Sequence, residues 1–373
     1  MIGRAYDIEK LVKKGKVLVI FGARQVGKTT LLNTFLNSTK LKYRIESGEN
    51  NRIKQLLSET DFKALKEYTQ GYDLIAIDEA QQIPNIGNAL KILVDECKVA
   101  CIVTGSSSFN LMQAVGEPLT GRKRTILLYP VSQLELSEIF DKHDLKDQLH
   151  SYLLYGGYPE IITANTQKDK VRMLTELAES YLLKDILQLD RIKASWQLIQ
   201  MLKLLALQIG NEVSFNELAT QVNLDVKTIG KYIDLLEKGF VIKRLGGFSR
   251  NLRNEITSKA KYYFYDNGIR NALIGQFMPL DSRSDKGALF ENFIIMERIK
   301  SNEYKNNYVS SYFWRTHTGK EIDLIEESKG KLHAYEIKYS ETKKAKMPDL
   351  FKQTYPTSTY KVVNKENYLD FVT

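Results

Sequence analysis

GARQVGKT, Gly22 to Thr29, is the stretch on which the reading of this sequence turns. It fits the pattern G-x-x-x-x-G-K-[ST], with Gly22, Gly27, Lys28 and Thr29 in the fixed places. Before it, KVLVIFG is a short apolar run ending on glycine and reads as a buried strand; after it, KTTLLNTFLNS reads as a helix. The layout has a physical logic. Glycines let backbone N–H groups turn inward around phosphates, and the helix that follows presents its positive end to them. Lys28 then reaches the β- and γ-phosphates of ATP, and the Thr29 hydroxyl is a ligand for Mg²⁺. Ala23, Arg24, Gln25, Val26 and Thr30 complete the nucleotide-contacting loop. Composition alone produces such a string in roughly one chain in fifty to a hundred of this length. A strand and a helix on either side make coincidence a much poorer account.

Working outward, LIAIDEA is a buried strand whose end releases two carboxylates. Asp78 is placed to hold Mg²⁺ through water, and Glu79 to orient and polarise the attacking water. KVACIVTGSS is another strand, and Ser106 at its end can reach the γ-phosphate or that water. Strands alternating with helices predict a parallel sheet with its ligand at the carboxyl ends of the strands. The segment LTGRKR gathers cations before a strand read as TILLYP. ATPases that assemble in rings often lend an arginine to a neighbour's γ-phosphate, and Arg122 and Arg124 are the candidates; a solvated basic turn is the plainer account.

The bulk properties narrow the class. A chain of 373 residues is too long for one ordinary core, so two or three domains are expected. The apolar runs are too short to cross a bilayer and MIGRAYDIEK has no apolar signal core, so a cytoplasmic protein without a membrane partner is expected. Cys97 and Cys101 have no histidines nearby to make a zinc site and read as reduced thiols. A net charge of +9 leans toward a polyanionic partner such as DNA.

Farther along, 135–189 is mostly helical, with a GGYPE turn. SFNELATQV and DVKTIGKYIDLLEKGF are amphipathic helices, and VIKRLGGF reads as a β-hairpin: helix, turn, helix and wing. On the second helix Ile229, Ile233 and Leu236 form the core stripe, leaving Lys227, Lys231 and Tyr232 to face outward. Tyr262, Tyr263, Phe264 and Tyr265 read as buried strand. In the last third, Asp323 lies in EIDLI, and Glu336 and Lys338 share one face of AYEIKY after a turn at SKGK. Glu291 lies on an upstream helix. Such carboxylates can gather one or two Mg²⁺ (or Mn²⁺) ions that activate water, with a lysine to stabilise a pentavalent phosphate. Charged residues alternating outward on an edge strand are the plain alternative.

GARQVGKTT, IDEAQ, VTGSS, LTGR, YGGYPE, YLLKDI, KYYFYDNGIRNALI and GALFENF, in that order, resemble the AAA-type ATPases of bacteria and archaea that carry a C-terminal domain long described as of unknown function. The likeness extends over nearly the whole chain. It implies an α/β fold: a P-loop AAA+ core with helical lid over 1–195, a winged-helix domain over 196–258, and a restriction-endonuclease-like α/β domain over 259–373. It makes Ser106 the sensor and Arg122 the arginine acting in trans, hence a homo-oligomeric ring, by guess a hexamer. Glu291, Asp323, Glu336 and Lys338 match the PD-(D/E)XK nuclease motif, although no proline precedes Asp323. The function so implied is an ATP-driven DNA motor fused to a Mg²⁺-dependent endonuclease, by analogy acting on branched DNA such as Holliday junctions. The rival is an ATP-switched regulatory or defence protein whose last domain binds nucleic acid or protein without cutting.

Overall fold

The computed structural model describes residues 2–106, 118–189, 195–249, 260–340 and 345–373, with side chains left out over 180–189 and at 195. Two sheets organise the chain. The first has five strands in the order β2-β3-β4-β1-β5, all parallel: β1 (Val17–Phe21), β2 (Tyr43–Ser47), β3 (Leu74–Asp78), β4 (Ala100–Gly105) and β5 (Lys123–Leu127). β1 and β4 are buried throughout, as continuous apolar runs must be when helices cover both faces of a parallel sheet. β4 lies between β1 and β3, so the loops that leave these three strands emerge side by side at one edge.

β5 begins earlier than TILLYP suggests. Lys123 and Arg124 are already strand residues paired with Val17 and Leu18, and only Arg122 remains on the turn. The helices Gln133–Leu136 to Gln167–Leu189 follow.

The second sheet has seven strands in the order β12-β11-β10-β9-β7-β8-β6: β6 (Glu212–Val213), β7 (Ile242–Gly247), β8 (Ala260–Phe264), β9 (Ser310–Arg315), β10 (Glu321–Ser328), β11 (Lys331–Ile337) and β12 (Thr359–Val363). The expected hairpin within VIKRLGGF is one strand. β7 runs through Gly246 and Gly247 because it pairs on both sides, antiparallel with β8 and parallel with Tyr312 and Phe313 of β9. The four aromatic residues of β8 and its exit are buried, as their run suggests. Tyr232, expected outside, is also buried. Ile229, Tyr232, Ile233 and Leu236 follow the i, i+3, i+4, i+7 spacing of a single stripe, so the ring belongs to the core face of the helix Val226–Lys238, whereas Lys227 and Lys231 are exposed.

The GGYPE turn owes its glycines to β8. Gly157 N–H donates to the Asp266 carboxylate at 2.7 Å, and a Cβ at Gly156 would collide with that same carboxylate. Asn267 and Asn271 donate to the carbonyls of Leu153 and Leu154. The helix Lys286–Tyr304 lies against β8 and β11 and is buried along most of its length. No helix among the described residues is long and apolar enough to cross a membrane.

Candidate functional site: a nucleotide loop and a charge cluster

The loop leaving β1 turns through Gln25 at φ 61° and Gly27 at φ 97°, both in the left-handed region. It enters the helix Lys28–Ser38, whose first N–H groups face the loop's hollow. Lys28 is buried, its ammonium donating to the carbonyls of Gly22 and Ala23 at 3.0 and 2.8 Å. Arg24, Gln25, Thr29 and Thr30 are exposed at the rim, while Ala23 and Val26 pack inward.

Across from the loop, Thr29 Oγ1 donates to Asp78 Oδ2 at 2.8 Å. The other Asp78 oxygen accepts a very short bond from Thr104 Oγ1, which also takes the N–H of Glu79 at 3.2 Å. Glu79 sits at φ 51°, a conformation that a non-glycine residue adopts at a cost and that clusters at functional sites. Its Oε2 accepts from Gln81 Nε2 and from Ser106 Oγ, the latter at 3.3 Å. Gln81 Oε1 is buried with no hydrogen-bond partner among the described residues. Ser107 lies outside the described residues. A hydroxyl and a carboxylate side by side are hard oxygen donors that suit Mg²⁺, which keeps most of its ligands as water and phosphate.

Beside Gly27 opens a cavity of about 330 Å³ lined by Ile2, Arg4, Leu31, Val131, Pro159 and Thr163 among others. Arg4 closes one side. It donates to the carbonyls of Val26 and Tyr129, each at 2.6 Å, and to Glu135 at 2.8 Å. Its guanidinium also meets the Tyr304 hydroxyl at 3.4 Å. Arg122 lies at the other end of the sheet, where it pairs with Asp95 at 2.8 Å; Arg124 is exposed on β5, just past that turn.

The carboxyl-terminal residues also come together. Asp323 and Glu336 stand one step beyond the Leu324–Tyr335 pair of the β10–β11 ladder, opposite each other. Lys338 reaches both, at 3.7 Å from Asp323 and 2.5 Å from Glu336, and Asp323 Oδ2 takes the N–H of Ile337 at 2.7 Å. Glu291 arrives from the helix Lys286–Tyr304 and accepts from Tyr263 Oη at 2.6 Å. Its nearest cation is Lys261, whose side chain is wholly buried and which bridges Glu291, at 3.4 Å, and Glu321. Burial, then repulsion from Asp323 and Glu321, pushes the Glu291 carboxyl up to about 7 against the pull of Lys261 and Tyr263. Asp323 is raised mainly by burial, and Glu336 by burial and by Asp323.

Glu291, Asp323 and Glu336, the acids expected to gather a metal, share one charge cluster with Lys261 and Lys338. Each carboxylate is engaged by a lysine ammonium, and among the described residues no three His, Cys, Asp or Glu side chains converge on a metal position. Residues missed in the sequence are Arg4, Gln81, Thr104, Lys261 and Glu321. One of them had a signal: Glu321 stands two before Asp323 on the strand, the spacing that puts Glu336 and Lys338 on one face.

Three family models match: "AAA domain" over residues 14–137, "Domain of unknown function (DUF8612)" over 146–279 and "Domain of unknown function (DUF4143)" over 286–371. "Uncharacterized protein Rv2008c" of Mycobacterium tuberculosis is 27% identical over 343 residues, covering 91% of this chain and 74% of that protein. An "Uncharacterized protein" of Haemophilus influenzae is 27% identical over 332 residues, 80% of this chain and 79% of that one. Among solved structures, a DNA replication initiation factor overlaps 62% of this chain and 84% of that chain at 16% identity with a TM-score of 0.26, too loose a likeness to bear on function. Residues 14–137 thus match the AAA domain model, and they form a parallel sheet whose first strand leads into the G-x-x-x-x-G-K-T loop.

Proposed function

We propose that the chain hydrolyses Mg·ATP at the loop Gly22–Thr30 and uses the energy to act on DNA. The observation that carries this reading is the Thr29–Asp78 contact with Glu79 and Ser106 beside it. Lys28 leaves its loop carbonyls for the β- and γ-phosphates, and the loop N–H groups bind phosphate oxygens. Thr29 and, through water, Asp78 would hold Mg²⁺, and the ion would supply positive charge beside the phosphates. Glu79 orients the attacking water. Ser106 and Gln81, both bonded to Glu79, sense whether a γ-phosphate is present. The cavity between Ile2, Leu31 and Pro159 takes the base. Arg122 or Arg124 serves a neighbour's site in a hexameric ring, and Arg122 must first release Asp95. In this reading 1–195 is the ATPase core with its lid, 196–258 a winged helix and 259–373 a nuclease-like module, in a cytoplasmic protein.

For the last module the geometry favours binding without cutting. Lys261 and Lys338 offset the carboxylates that a catalytic metal would need, so the cluster reads as a charged structural core. One observation favours cleavage instead, with branched DNA such as Holliday junctions as substrate: Asp323 faces Glu336 with Lys338 touching both. The deciding experiment offers labelled four-way junction, fork and linear duplex with Mg²⁺ or Mn²⁺, with and without ATP, beside Glu336→Ala. Intact DNA together with DNA-stimulated ATP hydrolysis is the expected result. Cutting that is lost in Glu336→Ala would establish a nuclease.

A further inference from the structure

Because its strands all run one way, the ATPase sheet has two unlike edges. The carboxyl-terminal edge carries the loop, Asp78 and Ser106. The other edge is made by the residues that enter the strands, and main-chain bonds tie these turns into a continuous row. Asp73 N–H donates to Lys42 O at 2.7 Å, and Ala100 to Asp73 O at 2.9 Å. Gly15 donates to Val99 O at 3.2 Å, Cys101 to Lys16 O at 3.0 Å, and Val17 to Arg122 O at 2.9 Å. The row crosses every strand of the sheet, about 20 Å at the usual strand spacing.

Its charge is lopsided. Lys14, Lys16, Lys42 and Lys98 are exposed along it. Lys63 and Lys66 extend it on the neighbouring helix, beside an open groove of about 540 Å³ that runs from them to Cys97. Asp95 is offset by Arg122, and Asp73, which takes the N–H of Lys42 at 3.0 Å, keeps its charge. Glu67 and Glu96 are the exposed acids that face the groove. Cations gathered at this density on one edge, of which only Arg122 has a part in the ATP reading, gain most by neutralising the regularly spaced charges of a polyanion and releasing its counterions.

We infer that this edge of the ATPase sheet is a docking surface for the phosphate backbone of nucleic acid, sequence-independent and separate from both charge-bearing sites described above. The inference rests on the reading that the protein acts on DNA and names the surface that would hold it. Lysines on strand-entry turns contact phosphates without reading bases, so they position the duplex rather than select it.

The test is fluorescence anisotropy of a short labelled DNA duplex over a salt series, using the full chain and the triple variant K14E/K42E/K98E, with duplex RNA and phosphatidylserine vesicles alongside. The expected result is affinity reduced more than about tenfold, and a slope of log affinity against log salt that is shallower by roughly 2 to 3. Hydrolysis without DNA should be unchanged, since the strand length of about 16 Å separates the edges. A milder K14Q/K42Q/K98Q variant guards against misfolding and should show a smaller change in the same direction. Binding of RNA as well as DNA supports the same phosphate chemistry. If the wild type binds duplex and both variants match its affinity and slope, this surface is wrong while the DNA reading stands. If the wild type binds no duplex at low salt, the DNA reading itself fails; capture of vesicles without duplex would make the edge a membrane contact and overturn the inference.

Discussion

Arg4 holds the carbonyl of Val26, inside the phosphate-binding loop, at 2.6 Å. The bond fixes that carbonyl toward Arg4, and the trans peptide then aims the Gly27 N–H the opposite way. Arg4→Lys keeps a charge for buried Glu135 but cannot serve Val26, Tyr129 and Glu135 together. A charge-assisted hydrogen bond is worth about 1.5–3 kcal/mol. The expected outcome is a KM for ATP raised roughly tenfold or more with a smaller change in kcat, measured by steady-state hydrolysis.

Glu79 and Lys28 should separate chemistry from binding. Glu79→Gln keeps the shape and the bond to Ser106 while removing the charge that polarises water. Hydrolysis should fall about a hundredfold or more, as for loss of a general base, with binding of a fluorescent ATP analogue retained. Lys28→Ala should lose that binding. A Glu79→Gln enzyme with full turnover would remove Glu79 from the chemistry.

Glu291 should make stability depend on pH in an unusual direction. Its folded pKa, about 7, lies above the ordinary 4.5, so the folded state binds the proton more tightly than the unfolded chain. The resulting stabilisation is present in full below pH 4.5 and is lost as pH rises through about 7. On this account it amounts to about 3 kcal/mol. Urea unfolding between pH 5 and 8 should show that decline, and Glu291→Gln should flatten it.

Lys261 tests the charge cluster. Lys261→Met removes the ammonium between Glu291 and Glu321; Glu321 keeps Arg315 at 3.6 Å, but part-buried Glu291 loses its nearest cation, at a cost of up to about 3 kcal/mol. Thermal unfolding should show a clear fall in Tm. A double variant, Lys261→Met with Glu291→Gln, should recover much of it, because the second change removes the stranded charge.

The regions of this molecule that can be read from its residues are those set by local pattern. The phosphate loop, LIAIDEA and VTGSS each carry their chemistry within a few residues of a strand end, so pattern and place coincide. The E-x-K face follows from strand alternation alone. Arg4 has no such signature. Its partner Glu135 lies 131 residues away, and only the fold brings them together. Lys261 is hidden for the same reason, inside an aromatic run that announces burial and says nothing of Glu321, 60 residues on. Tyr232 is legible after all, in the i, i+3, i+4, i+7 stripe of its own helix, whereas the supposed hairpin goes astray because β7 pairs with β8 and β9, which arrive later in the chain.

The order of the second sheet sets a rule for dividing the protein. β8 lies between β7 and β6, so strands from before residue 250 flank one that comes after it, and β7 is itself gripped by β9. A cut near residue 258 would not separate a pair of independent neighbours; it would unpick a weave and leave interior strands with bare edges, the condition that invites aggregation. Genetic exchange that swapped the last third for another module would meet the same obstacle, so the two segments are heritable only as a unit. The ATPase sheet, whose strands all come from the first 127 residues, completes its pairing without the second sheet.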